Sequence, residues 1–207
     1  MIRDMKSGQF LTTRQLAERL AAAPHVLVGK QRGNPDHHAL QLWLLQALAD
    51  CRPQGSLLLE VLTSSQQARV EAVYASIQTG NYPADLAAAL QWQAQWDWSL
   101  YGPILRFALA QPLRLLAANL DPNQTGDLTE HMARLMLAAP APAMLFAEAW
   151  RVRRDTGVPQ WMSRIDRSAK PAVLMLMREG DRVEPGTADF VWYTAGHAQT
   201  PLGSYTT

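Results

Sequence analysis

The sequence predicts a three-layer α/β/α domain built on a mainly parallel sheet. Two observations carry this expectation. Short apolar runs alternate with stretches of helical periodicity through the first three quarters of the 207 residues, and that alternation marks strand–helix–strand units. The runs "HVLVG", "SLLLEVL" and "LRLLAANL" are apolar at nearly every position, which suits strands buried on both faces. The chain is 48% hydrophobic, enough for a substantial core, and its length favours one domain over two. We place that domain at 1–195 and expect 196–207 to form a loose tail.

Each element has a local reason. In "TTRQLAERLAAA", Thr12 or Thr13 can cap a helix that lines up Leu16, Leu20 and Ala23. "HVLVG" is a strand closed by Gly29. Asn34 is then a favoured N-cap, Pro35 fits the first helical position, and Asp36 complements the positive helix end. A helix to about Asp50 follows, with His37 toward its apolar face and His38 on the flank. "SLLLEVL" holds a single acid, Glu60, near its end. "QQARVEAVYASIQ" reads as a helix, and "ADLAAALQWQAQWDWSLYGPILRFALAQ" as two helical segments carrying three tryptophans. "LRLLAANL" ends near Asn119, and "LTEHMARLMLAA" is a helix. "PAMLFAEA", "AVLMLMRE" and "DFVWYTA" complete six strands. Across the turn-like "GDRVEPGTA", the last two are expected to form an antiparallel hairpin at the sheet edge.

Composition removes several functions. The formal net charge is +1 with no basic run, which argues against nucleic acid. Cys51 is the only cysteine, so an internal disulfide and a Cys-rich metal site are excluded. No stretch reaches transmembrane length. "MIRDMKSGQF" lacks the apolar core of a signal peptide. The expectation is a cytoplasmic protein, or a periplasmic or lipid-anchored one if a leader was removed.

In parallel sheets, ligands sit at the carboxyl ends of the strands. The residues there are Lys30, Arg32, Asn34, His37, Glu60, Asn119 and Glu148. Position alone selects them, and strand-end polar groups are equally at home satisfying backbone. The group attracts attention because "VLVGKQRGNPDHH" runs strand, turn and capped helix in sequence.

That stretch, extended to "VLVGKQRGNPDHHALQLWLLQAL", resembles the start of the ChaN-like haem-binding uptake family, of the same broad group as the erythromycin esterases and Tiki proteases. The family shows a strand, then Gly-Glu-x-His-Asp-Asn, then a His-His helix. "IRDMKSGQFLTTRQLAERLAAA" looks like its opening strand and helix, and "LLLEVLTSSQQ" like its Glu-ended strand. "WSLYGPILRFALAQPLRLLAANL" resembles its Tyr-x-Pro segment leading to an Asn-ended strand. "DTGVPQWM" and "DFVWYTA" fit near the end.

The departures matter as much. Lys30 stands at the family's Glu, Arg32 at its His and Gly33 at its Asp, so Gly29, Asn34 and the His37–His38 pair are what remains of that motif. A later Gly-x-Gly-His turn corresponds to "AEAW", with Trp150 at the histidine. Metal-assisted or general-base hydrolysis needs carboxylates and imidazoles, so the loop reads as an emptied catalytic site walled by Gly29, Asn34, Glu60 and Asn119. Should Lys30 and Glu60 lie close, an ion pair filling it is expected.

The resemblance implies haem as cofactor, a tyrosine on the iron, a homodimer, and haem-transport components as partners. On that basis the haem-binding candidates are Tyr101 (with Tyr193 next), His37 and His38, and Arg32 and Lys30 toward the propionates. The reading is a non-enzymatic haem-binding accessory protein. The alternatives are a clan hydrolase with an altered site, or an interaction protein that has kept the fold and lost the ligand.

Overall fold

The computed structural model describes residues 1–195. The expected tail, with His197 and Tyr205, lies outside the described residues. Among these residues, eight strands form one sheet: β1 (Ile2–Asp4), β2 (Phe10–Leu11), β3 (His25–Lys30), β4 (Ser56–Thr63), β5 (Arg114–Asn119), β6 (Ala143–Glu148), β7 (Ala172–Arg178) and β8 (Phe190–Thr194). Their order is β2-β1-β8-β7-β3-β6-β4-β5. The six strands from β8 to β5 are parallel; β1 and β2 add an antiparallel edge.

Among the described residues, seven helices cover the two faces: α1 (Thr13–Ala21), α2 (Pro35–Cys51), α3 (Gln67–Gln78), α4 (Leu86–Ala89), α5 (Trp98–Ala110), α6 (Leu128–Ala138) and α7 (Val158–Ile165). Alternation along each strand splits the core in two. Val26, Val28, Met144 and Phe146 face Leu16, Leu44, Val70 and Ile104 on one side. Leu27, Leu145 and Val173 face Met132, Met136, Val158 and Met162 on the other. β4 is buried along its whole length, as its apolar run, interrupted only by Glu60, requires.

The caps follow sequence chemistry. Thr12 accepts from the Gln15 N–H and closes a capping box. The Asn34 side chain accepts from the N–H groups of Asp36 and His37.

One expectation is corrected. β7 and β8 do not form an antiparallel hairpin: they pair in parallel, from Leu174↔Phe190 to Arg178↔Thr194. The glycines that made 179–189 look like a single turn, Gly180 (φ 93°) and Gly186 (φ 84°), make two separate bends. The link is long enough to run back along the sheet, packing Val183 and Ala188 into the second core. Asp189 pins its return by accepting from the Val173 N–H at 2.7 Å. The opposite edge of β8 is taken by β1. Two elements go beyond the sequence reading: β2, which is two residues long, and α7, which starts at the Val158-Pro159 pair.

Candidate functional site: the carboxyl end of the sheet

Because β3, β4, β5, β6, β7 and β8 are parallel, their last residues arrive on one rim. Lys30 and Glu148 are direct register partners across β3 and β6. Glu60 of β4 reaches the same spot, accepting from the Glu148 N–H at 2.6 Å. Asn119 does not join them. It ends β5 beside Thr63, three strands from Lys30, or roughly 14 Å at ordinary strand spacing. Its carbonyl accepts from the Ser64 hydroxyl at 3.0 Å, a purely local role.

The expected Lys30–Glu60 ion pair does not form. Glu60 is claimed instead by Arg151, whose Nε donates to its Oε1 at 2.6 Å. Both oxygens of this 5%-exposed carboxylate are thus engaged, one by a guanidinium and the other by a backbone N–H. Arg151 belongs to a short 3₁₀ turn, Ala149–Val152, that crosses the end of β3. The crossing explains Gly29: a Cβ there would meet Val152 Cγ2 at 2.4 Å and Ala149 Cα at 2.8 Å. Gly157, in the "DTGVP" stretch, is fixed in the same way, since a Cβ would fall 2.1 Å from the Arg151 carbonyl oxygen.

Lys30 is 3% exposed. Its ammonium sits 5.7 Å from the Tyr101 ring centre and 6.0 Å from that of Trp96, in a partly aromatic box. Burial lowers its pKa; the Glu60 and Glu148 carboxylates oppose that shift and Arg32 adds to it. Arg32 is exposed and lies on the outer side of the box, 4.4 Å from the Trp96 ring centre. Tyr101 is 4% exposed, packed against His38 (centroids 4.4 Å apart, edge-on), Trp92 and Trp96. Burial, with Glu60 next, raises its phenol pKa; Arg32 pulls the other way. The three tryptophans of the "WQAQWDW" stretch thus act as packing.

The two histidines divide the labour. His37 is fully buried. Its Nδ1 accepts from the Gln31 N–H at 3.0 Å, so in the neutral ring the proton is on Nε2, which donates to Thr194 Oγ1 at 3.2 Å. Thr194 in turn donates to the Met177 carbonyl at 3.2 Å. This chain ties the loop after β3 to the ends of β7 and β8. His38, 2% exposed, has neither ring nitrogen partnered; both amide atoms of Gln41, one turn on, and the Trp96 indole nitrogen are also buried without partners. Burial drives both imidazole pKa values down, to about 4 for His37 and about 3 for His38, where the charge of Lys30 contributes next.

Of the sequence-derived set, Lys30, Arg32, His38, Tyr101, Glu60 and Glu148 therefore converge, His37 and Asn34 hold the loop in place, and Asn119 stands apart. Sequence reading passed over Arg151 and Gln41. Arg151 lies in "RVRRD", a charged stretch whose local pattern does not distinguish a buried partner from solvated charge. Among the described residues, no three His, Cys, Asp or Glu side chains converge as a metal would require.

The family model for haem-binding uptake proteins of the Tiki superfamily, ChaN, matches residues 16–145. The chain belongs to this family. The fold agrees. The ChaN of Campylobacter jejuni, whose structure describes cofacial haem binding, superposes with a TM-score of 0.79 at 17% identity, covering 92% of this chain and 94% of that one. The type III effector HopBA1 gives 0.54 at 11% identity, over 88% and 92%. RRSP, a toxin effector domain from Vibrio vulnificus, gives 0.52 at 13% identity, over 83% of this chain and 36% of its own. No curated protein is significantly similar in sequence. Among the described residues, no helix is long and apolar enough to cross a membrane.

Proposed function

We propose that this ChaN-family chain binds haem in the service of haem or iron acquisition and performs no hydrolysis. The observation that carries the second half is the occupied carboxylate of Glu60. A clan hydrolase needs an acid free to bind a metal or take a proton. Here that acid is spent on Arg151 and the Glu148 backbone, and Lys30 and Arg32 fill the neighbouring positions.

Family membership supports haem as the ligand, and the strand-end cluster itself is a poor fit for one. Lys30, His37, His38 and Tyr101 are each 4% exposed or less, so a porphyrin meets none of them without opening the Trp96 wall. These residues serve best as a plug that keeps the emptied site closed. Arg32 alone reaches the surface, where it can meet an anion. We extend the reading to a homodimer and to transfer partners in haem transport, by analogy with the family.

Hemin titration of the purified chain tests this. The expected result is a Soret shift saturating near one haem per chain, with haem-dependent dimerisation by sedimentation and no activity in an esterase and metal-content screen. Free-hemin spectra throughout would remove the haem reading, and hydrolysis abolished by Glu60→Gln would restore the enzymatic one.

A further inference from the structure

Trp150 occupies the position of a family histidine and is 54% exposed, yet it is held on two sides. Its indole N–H donates to Glu148 Oε2 at 2.9 Å. The Arg151 guanidinium lies 4.0 Å from its ring centre, and Arg151 is itself anchored by Glu60 at 2.6 Å. An exposed aromatic ordinarily costs solvation and gains nothing. One set in place by a buried ion pair is pre-organised to receive something.

Beside it lies a groove of about 540 Å³, within the range of roughly 300–1,000 Å³ of ligand sites. Met175 and Met177 of β7 line it, with Val183 and Thr187 from the returning link. It forms where Ala149 and Trp150, just past the end of β6, meet the carboxyl half of β7, toward the end of a parallel sheet where ligands bind. The charges at its rim are unequal. Arg153 is matched by Asp155 at 2.7 Å and Glu184 at 3.0 Å. Arg182 is exposed and has no ion pair or hydrogen bond among the described residues.

The complement of this surface is flat and apolar, with a carboxylate at its edge. We propose that the Trp150 groove is the haem cradle of this chain: the porphyrin packs on Trp150 and the soft Met177 thioether, and a propionate pairs with Arg182. This rests on the haem-binding reading above and moves the ligand away from the closed Lys30–Tyr101 cluster. Glu60, in the wall of the emptied site, becomes through Arg151 the brace of the binding platform.

The test titrates hemin and its dimethyl ester, which lacks free propionates, into the wild type, Trp150→Ala, Trp150→Phe and Arg182→Gln. The wild type should prefer hemin to the ester by about tenfold, one charge-assisted contact, and Arg182→Gln should lose that preference. Trp150→Ala should weaken both ligands by about tenfold or more, with Trp150→Phe retaining most of the affinity. Both side chains are exposed, so melting temperatures should hold. Wild-type binding with unchanged affinity in Trp150→Ala and Arg182→Gln overturns the cradle and leaves the haem reading intact. No binding by the wild type overturns both. A Trp150→Ala protein that turns monomeric with unaltered haem affinity makes the groove a contact between copies and also overturns the cradle.

Discussion

His37 Nε2 and Thr194 Oγ1, 157 residues apart in the chain, meet at 3.2 Å and lock the first strand-end loop to the last strand. A histidine that the resemblance offers as a haem-binding candidate is here a fastener. Its other nitrogen takes the Gln31 N–H, so neither nitrogen is left to serve a ligand.

Thr194→Val tests this fastening with little change of shape. It removes the hydroxyl that His37 Nε2–H donates to and that donates to the Met177 carbonyl. We expect a loss of about 1–3 kcal/mol in urea unfolding with haem affinity unchanged. A variant as stable as the wild type would remove the structural role.

Acid should weaken the fold before most carboxylates titrate. The folded pKa values of His37 and His38 lie near 4 and 3, below the unfolded value of about 6.5. Between these limits the unfolded chain binds protons that the folded chain refuses, so stability is intact above about pH 6.5 and falls as pH drops toward 4. Each unit across that window is worth about 1.4 kcal/mol per histidine. Urea midpoints at pH 7.5, 6.0 and 5.0 should decline, and His38→Phe, which keeps the contact with Tyr101, should flatten the slope. Equal midpoints at all three values would contradict the buried, neutral assignment.

Glu60→Ala strands the largely buried Arg151 guanidinium and the Glu148 N–H. The expected cost is about 3 kcal/mol or more, read in thermal or denaturant unfolding. Haem affinity should fall too, because Trp150 loses its brace. A stability loss with no change in affinity would separate the ion pair from the platform.

Tyr101→Phe should leave the Soret spectrum of the haem complex unaltered. Its phenol is walled in by His38, Trp92 and Trp96, and burial beside Glu60 disfavours the phenolate. Tyr193 is half-buried beside its register partner Met177 and lines a neighbouring cavity with Met1, Arg3 and Phe10, so of the two tyrosine candidates Tyr193→Phe is the change expected to shift the spectrum. The reverse pattern, with Tyr101→Phe erasing a tyrosinate signature, would return the iron to the closed cluster.

Much of this was legible in the sequence. The apolar runs fixed six strands because burial on both faces leaves no polar alternation. Thr12, Asn34, Pro35 and Asp36 fixed two helix starts, because capping is satisfied within a few residues. The resemblance rested on local motifs, and the replacement of acid and imidazole by Lys30 and Arg32 was visible residue by residue.

What tertiary structure alone decided is partnership between residues distant in sequence. The pairing of β7 with β8 in parallel depended on where β1 docked and on a link that contains two bends where one was read. Glu60 pairs with Arg151 and not Lys30 because a short turn carries Arg151 across the end of β3, a crossing that only Gly29 permits. Whether Tyr101 and the histidine pair face solvent or core was likewise outside local reach: the same helix-start pattern serves an open site or a closed one, and the Trp96 wall, contributed from a different segment, closes it. Sequence periodicity reports which face of an element is buried; it carries no record of which distant side chain completes the burial, and that choice settles which strand-end residues remain within reach of a ligand.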